Sequence, residues 1–493
     1  MGRARRTLAK RAFGAPQFDT RNVRYEMAER SQGVVYGGVA LLHQVAHRVG
    51  LPEAINRQVP LFKLRIGPYR ESDHVLNIAF NALCEGRCLQ DIQLRRQDEA
   101  YCDALGVDTI PAPSTEGDFC RRFTPDSILR LEGAFHEARL VVWKQQPEAF
   151  FAVATLDADG TQVVTGAECK EGIGMNYKKE WGYHPLIISL AETGEPLSIV
   201  NRPGNRPSHE GAAEALDRQI ALCRGAGFRK IVLRGDTDFK QTAHLDRWQD
   251  AGVTFFFGYD AYPNLIKRAE GLKNSVWKRL ERTPPPGRVK TRRRRGNVKK
   301  VIVQQHGYLN LTLEHEELAE FEYRPGECRR SYRMVVLRKT ITVTKGQMLL
   351  IPQTRYFFFI TNDRVWTPPQ VVEQCHQRCN QENLHAQLAA GLRALSAPVD
   401  NLVSNGAYML MASLAWTLKA WSALLLPVSP RWQEKHEGAR KRLLTMEFRT
   451  FVNHFVKLPC LVVHQARRVF MRVLTWNPDL PLFFRIHDAV LRL

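Results

Sequence analysis

The chain has 493 residues, 44% of them hydrophobic and 25% charged, a balance that buries a sizeable core and excludes a mainly disordered, collagenous or coiled-coil protein. Its 71 Lys and Arg against 50 Asp and Glu leave a formal charge of +21, which calls for a polyanionic partner, nucleic acid ahead of an anionic membrane. Ten scattered cysteines with no CxxC pair do not form a disulfide scaffold and fit a reducing compartment.

Residues 1–25 are basic and lack apolar periodicity, which predicts a flexible arm; no apolar run follows Met1–Arg11, so a signal peptide is not expected. Residues 26–148 read as helical. Val75, Ile78, Ala79 and Leu83 fall at spacings of three and four that make one apolar face. Pro111-Ala-Pro-Ser-Thr-Glu breaks the run, and Ser114 is placed to cap a new helix. Arg121 and Arg122 follow that cap. The region suits either a helix-turn-helix-like DNA reader or a helical packing domain.

At residues 149–282 the texture changes. Phe151–Asp157, Thr161–Ala167, Leu186–Ala191 and Leu197–Asn201 are short strand-like runs. A helix over Ser208–Cys223, a buried strand at Lys230–Leu233, a helix over Gln241–Asp250 and a buried strand at Val253–Gly258 come next. A strand meander followed by α-β-α-β predicts an α/β layer on a mixed sheet. Residues 283–355 begin with TPPPGRVKTRRRRGNVKK, an exposed basic loop, and continue as a β-rich insertion that includes VIVQQ as a strand. Residues 356–427 return to the core: a strand at Tyr356–Thr361, then a long helix opened by Thr367-Pro-Pro and running to about Leu395. The apolar stretch Gly406–Pro427 is long enough to span a membrane, but with Lys419 inside it the expectation is a buried core helix bearing Tyr408, Trp416 and Trp421. Residues 428–493 read as a basic helical region.

In so basic a chain, acids at strand ends stand out. Asp157-Ala-Asp159-Gly-Thr closes the first strand, Asp236-Thr-Asp238 follows KIVLR-Gly, and Glu382 lies on the long helix. Carboxylates converging from neighbouring strands and a covering helix repel one another and need cations. Mg²⁺ suits them, because it takes oxygen ligands and keeps waters for phosphates, and two such ions serve phosphodiester chemistry. Each acid also has a structural reading: Asp159-Gly as a turn, Asp157 as a solvated strand end, Asp236 as a helix cap, and Glu382 as an i,i+4 partner of Arg378.

The blocks LDADGT (156–161), GYHPLIISL (182–190), TGEPLSIVNRPGN (193–205), VLRGDTDF (232–239), FFFITND (357–363) and CHQRCNQEN (375–383) occur in this order. Together they resemble the RNase H-like core of DDE transposases, in particular bacterial insertion-sequence transposases with a β-strand insertion before the catalytic glutamate. Upstream, EGRCLQDI (85–92) and PAPSTEGDFCRRF (111–123) resemble that family's N-terminal DNA-binding region. The resemblance implies an RNase H-like α/β core with a β-rich insertion, an N-terminal all-α domain and a helical C-terminus. It implies Asp159, Asp236 and Glu382 as catalytic ligands of Mg²⁺ (or Mn²⁺), with Asp157 the alternative first acid and Arg378 holding a DNA phosphate. The family's Tyr and Lys positions are Cys375 and Ala389 here. It further implies cleavage at the terminal inverted repeats of an element, strand transfer into target DNA, a homodimer in the synaptic complex, and a bacterial cytoplasmic, nucleoid-associated protein. Two other functions fit the residues: a catalytically inactive DNA-binding derivative, and a nuclease that cuts without joining.

Rival motifs are weaker. No GxxxxGK[ST] supports ATP use, and Cys375-His376-x-x-Cys379 has no second pair with which to hold zinc. Arg292, Arg293, Arg294 and Arg295 read as DNA phosphate contacts, with a solvated linker or an RNA-binding arm as the alternatives.

Overall fold

The computed structural model describes residue 25 and residues 32–62, 67–282, 296, 298–346, 348–349, 352–465 and 468–493. Most of the expected N-terminal arm and all of Arg292–Arg295 lie outside these residues.

The N-terminal region is built from helices, among them α1 (Glu71–Leu83), α2 (Pro113–Arg121) and α3 (Pro125–Lys144). Pro113 occupies the first position of α2, so Ala112 is its cap and Ser114 falls inside the helix rather than before it. For α3, the Thr124 hydroxyl accepts from Ser127 N at 3.2 Å and Pro125 fixes the first helical φ.

The core sheet begins with β1 (Val153–Gly160), β2 (Leu186–Leu190) and β3 (Glu195–Val200). Helix α4 (Ala212–Ala226), strand β4 (Lys230–Gly235), helix α5 (Thr242–Asp250) and strand β5 (Thr254–Tyr259) follow. The first of these helices starts four residues later than its sequence predicts. The Arg202 guanidinium donates to the carbonyls of Pro207, Ser208 and Glu210 and holds that stretch as a loop. Strands β4 and β5 are buried along nearly their whole length, as the Ile/Val/Phe-rich runs require of central strands covered on both faces.

Val298–Gln305 is a helix, α6, where a strand was expected. Val298, Val301 and Ile302 repeat at three and four, and the β-branched run is too short to tell the two periods apart. Strands β6 (Leu309–Tyr323), β7 (Tyr332–Lys345) and β8 (Gln353–Thr361) do not form a separate layer. They extend the core into a ten-stranded mixed sheet: a nine-strand path runs from Lys278–Arg279 through β6, β7, β8, β5, β4, β1 and β2 to β3, and the short strand Met348–Leu349 pairs with β7 off that path. The β1–β4 and β4–β5 pairs are parallel and the other pairs antiparallel.

The expected long helix after Thr367 is broken. It consists of α7 (Pro368–Gln377), α8 (Cys379–Ala386) and a π-turn over Gln387–Gly391. The irregularities fall at Arg378 and at the turn over Gln387–Gly391, where Leu392 N donates to Gln387 O at 2.7 Å, five residues back instead of four. Helix α9 (Leu402–Leu424) is buried from Ser404 to Leu424 and packs against α1, α3 and β3, so the apolar stretch is core. Among the described residues no helix is long and apolar enough to cross a membrane.

The C-terminal region is not all helical: β9 (Cys460–Gln465) and β10 (Arg468–Val473) form a hairpin, and β9 pairs with Gly33–Val34. The alternating apolar residues of CLVVHQ and RVFMRV fit strands, and their arginines face outward. One continuous hydrophobic cluster runs from Val34 to Val490.

Lys419 is the anomaly in α9. Its ammonium donates to Leu444 O at 2.9 Å and lies 3.8 Å over the Trp416 ring, and burial pulls its pKa down to about 7. As pH falls from the unfolded value near 10.5 toward 7, the unfolded chain takes up a proton that the native one refuses, and stability is lost. Lys419→Met is therefore expected to raise stability at pH 7. The gain is about 2 kcal/mol, net of the lost carbonyl bond and cation–π contact. Denaturant unfolding should show that gain shrinking as pH approaches 10.5; a destabilised variant at pH 7 would refute it.

Candidate functional site

Asp157 and Asp159 lie two residues apart on β1 and so project to the same face, which α7 and α8 cover. Their surroundings differ. Asp157 is opposite Arg234 on β4 and is held by it in a bidentate pair at 2.6 and 2.8 Å. Arg234 also donates to the side-chain oxygens of Gln374 and Gln377 on α7. Both oxygens of Asp157 are thus engaged within the core, where the pair locks β1, β4 and α7 together.

Asp159 lies nearer the strand end, opposite Ile187 of β2. The following residue is glycine for a steric reason: a Cβ at Gly160 would fall 2.5 Å from His184 Nε2. His184 is fixed by donating from Nδ1 to Arg206 O at 2.8 Å. Its backbone pairs with that of Arg202, His184 N donating to Arg202 O at 2.7 Å, while Arg202 Nε donates to His184 O at 2.9 Å. The GYHP and NRPGN blocks therefore form the wall against which Asp159 is set.

Arg378, at the break between α7 and α8, donates to Asp159 Oδ2 at 2.8 Å and to Glu382 Oε1 at 3.4 Å. Asp236 follows Gly235 at the end of β4, caps the short turn Thr237–Phe239 and accepts from Asp238 N at 3.0 Å. The capping and i,i+4 readings of Asp236 and Glu382 are both realised, but alongside mutual proximity. Burial, then the charges of Asp236 and Glu382, push Asp159 up to about 7 against the opposing pull of Arg378. Burial likewise raises Asp236, with Arg378 again opposing. Three acids from two strand ends and one helix thus share a single guanidinium as their counter-ion.

These residues fit a hard divalent cation in their donor chemistry: oxygen-only ligands, like charges held together, and an acid kept protonated for want of positive charge. The arrangement itself is closed around Arg378. Among the described residues no group of three His, Cys, Asp or Glu is placed to hold a metal ion. The Glu382 side chain is 60% exposed.

Two residues escaped the sequence reading. Gln381 is buried and its amide donates to the carbonyls of both Asp157 and Ile187 at 2.9 Å, pinning α8 across β1 and β2 and fixing where Glu382 emerges. The QEN in the glutamate block was the available signal. His385, one turn beyond Glu382, brings Nδ1 to 4.0 Å from Asp159 Oδ2. Burial, then the charge of Arg378, hold it down at about 4, so it is neutral at pH 7.

Other predicted residues sit elsewhere. Arg121 pairs with Asp118 and Asp400 at 3.0 Å, and Arg122 lies over the Phe62 ring. Cys375 is buried with Val371, Val372 and Phe256, and burial pushes its thiol up to about 12, which makes it a packing residue. Ala389 is exposed in the π-turn.

Comparison with known proteins gives three findings. A family model described as "Transposase DDE domain group 1" matches residues 21–493. No curated protein matches the chain. Among solved structures, the chain is similar to a cryo-EM structure of a piggyBac transposase synaptic complex with hairpin DNA, at 10% identity over 85% of this chain and 81% of that one, with a TM-score of 0.36.

Proposed function

The chain belongs to the transposase DDE domain family, group 1, and on that premise we propose that it binds the ends of a bacterial insertion sequence, cuts them and joins them to target DNA. Water attacks the phosphodiester at each end and releases a 3′-OH; that hydroxyl then attacks a target phosphodiester and displaces its 3′ oxygen. Neither step needs ATP or a covalent protein–DNA bond. Asp159, Asp236 and Glu382 hold Mg²⁺, with Mn²⁺ substituting, and the bound ions supply charge for the attacking and leaving oxygens. Asp157 is left to its structural pair with Arg234. Arg378 positions a substrate phosphate, which draws its guanidinium off the carboxylates. His184 and the Gln381 amide hold the first strand and the glutamate helix in register. Two ends must be paired, so a homodimer on two DNA duplexes is the working form, in the bacterial cytoplasm on the nucleoid.

The observation that supports this reading is geometric: Arg378 bridges Asp159 and Glu382 at 2.8 and 3.4 Å, and Asp236 directly follows β4, the strand paired with that of Asp159. Plasmid DNA carrying the gene with its native flanks, incubated with the protein and Mg²⁺, should be cut at two inverted ends, and Glu382→Gln should cut neither. DNA binding without cleavage by the wild-type protein would favour an inactive, DNA-binding derivative. Cuts without joined products would favour a nuclease.

A further inference from the structure

A second charged cavity, of about 400 Å³, lies beyond the far end of the glutamate helix. Three distant segments each bring arginine to it: Arg87 and Arg95 from the N-terminal region, Arg393 from just past the π-turn, and Arg449 from the C-terminal region. The EGRCLQDI segment is shaped for this. Glu85 adopts φ 61°, and a Cβ on Gly86 would fall 2.2 Å from Asn81 Oδ1, so the chain turns sharply there. Asp91 accepts from the backbone N–H groups of Arg87 and Cys88 at 2.6 and 3.3 Å and fixes the turn that carries Arg87. Arg95 donates to Cys84 O at 2.6 Å and lies over the Tyr36 ring, leaving Nε buried with no hydrogen-bond partner among the described residues. Arg393 is held at φ 58°, a left-handed conformation that arginine rarely adopts. Phe448 N, next to Arg449, donates to Gln387 Oε1 of the π-turn at 2.9 Å and ties that segment in place.

Among the described residues the lining carries four arginines against two acids, a surplus of positive charge. Its two acids are already engaged, Glu85 by Lys457 and Asp91 by backbone N–H groups. None of the four arginines has a carboxylate partner among the described residues. Guanidinium forks match phosphate oxygens in pairs, and an arginine cluster left unpaired at a strained backbone is what a bound anion would stabilise.

We propose that Arg87, Arg95, Arg393 and Arg449 form a second anchor for one phosphate of the DNA backbone, separate from the acid cluster. Arg393 lies eleven residues beyond Glu382 and past the π-turn that ends the glutamate helix, so the anchored phosphate is a different one from the reacting phosphate. The anchor fixes the distance between duplex and cut without reading a base. Its polyanion is DNA by virtue of the function proposed above.

The test uses the full chain with a duplex from the element's end, titrated with salt, in the wild type and in the double variant Arg393→Gly, Arg449→Gln. Glycine suits the left-handed backbone at 393, and both side chains are exposed, so the melting temperature should hold or rise. The slope of log affinity against log salt should become shallower by about 0.9 for the one phosphate released. An unchanged slope in a folded variant overturns the anchor while leaving the function standing. Wild-type protein with no salt-dependent DNA binding overturns both. Inorganic phosphate, measured calorimetrically, is the other arm: phosphate binding lost in the variant with the DNA slope unchanged makes this a small-anion pocket and refutes the DNA assignment.

Discussion

Asp236→Asn is expected to abolish DNA cleavage while leaving DNA affinity within a few-fold. The substitution removes a charge and almost nothing else. The asparagine Oδ1 can still accept from Asp238 N, the 3.0 Å bond that caps the turn after β4, so the strand end keeps its shape. On the proposed mechanism, loss of one of three anionic ligands removes on the order of 4 kcal/mol of charge stabilisation, about a thousandfold or more in rate. Stability should move the other way. The Asp159 carboxyl, held up at about 7 partly by Asp236, keeps in the native state a proton that the unfolded chain loses near pH 4. Native stability therefore declines as pH rises from about 4 to about 7. With Asp236 neutral, Asp159 ionises more easily and that decline shrinks, so the variant should be at least as stable as wild type at pH 8. Cleavage mapped on a native-flank plasmid, with DNA affinity and thermal unfolding measured on the same preparation, checks all three. Retained cleavage would remove Asp236 from the site; lost affinity together with a lowered melting temperature would make it a structural residue.

The parts of this fold that were legible in sequence are those where one physical signal dominates. KIVLRG and TFFFGY are apolar on both faces and could only be central strands, and the acids after β1 and β4 follow from where those strands end. The segments that misled carry two signals of equal strength. Val298–Gln305 offers a β-branched run and a helical spacing together, and packing chose the helix. The C-terminal hairpin hides its alternation among arginines. Nothing local in the glutamate helix announces the break at Arg378 or the π-turn. Both follow from contacts made by distant residues, Asp159 on one side and Phe448 on the other. The role of Gln381 was hidden for the same reason, although the residue stands in the glutamate block: it lies in two carbonyls more than 190 residues away in sequence. Asp157 and Asp159 are indistinguishable by position alone, and the difference between them is Arg234, a residue on another strand.

Glu195→Gln is expected to be the most destabilising single change outside the acid cluster. Glu195 is fully buried at the start of β3 and binds three donors: Arg139 Nε at 3.0 Å, Trp421 Nε1 at 2.9 Å and Trp143 Nε1 at 3.2 Å. Those donors come from α3 and α9, so one carboxylate joins the N-terminal helices, the edge of the core sheet and the central apolar helix. Glutamine keeps the shape but turns an NH₂ toward a donor and leaves the Arg139 guanidinium, itself 1% exposed, without its counter-charge. Removing one partner of a buried ion pair costs about 3–5 kcal/mol. The shape of the unfolding curve matters as much as its midpoint. The hydrophobic cluster is continuous from Val34 to Val490, so α3 and the sheet should lose structure in one transition, shifted as a whole. Tryptophan fluorescence, the sum over nine tryptophans that include Trp143 and Trp421, should then coincide with far-ultraviolet circular dichroism in both proteins. Two separated transitions in the variant would show instead that the N-terminal helices fold independently of the core sheet. In that case those helices could move relative to the acids, and Glu195 would act as a hinge fastening between them.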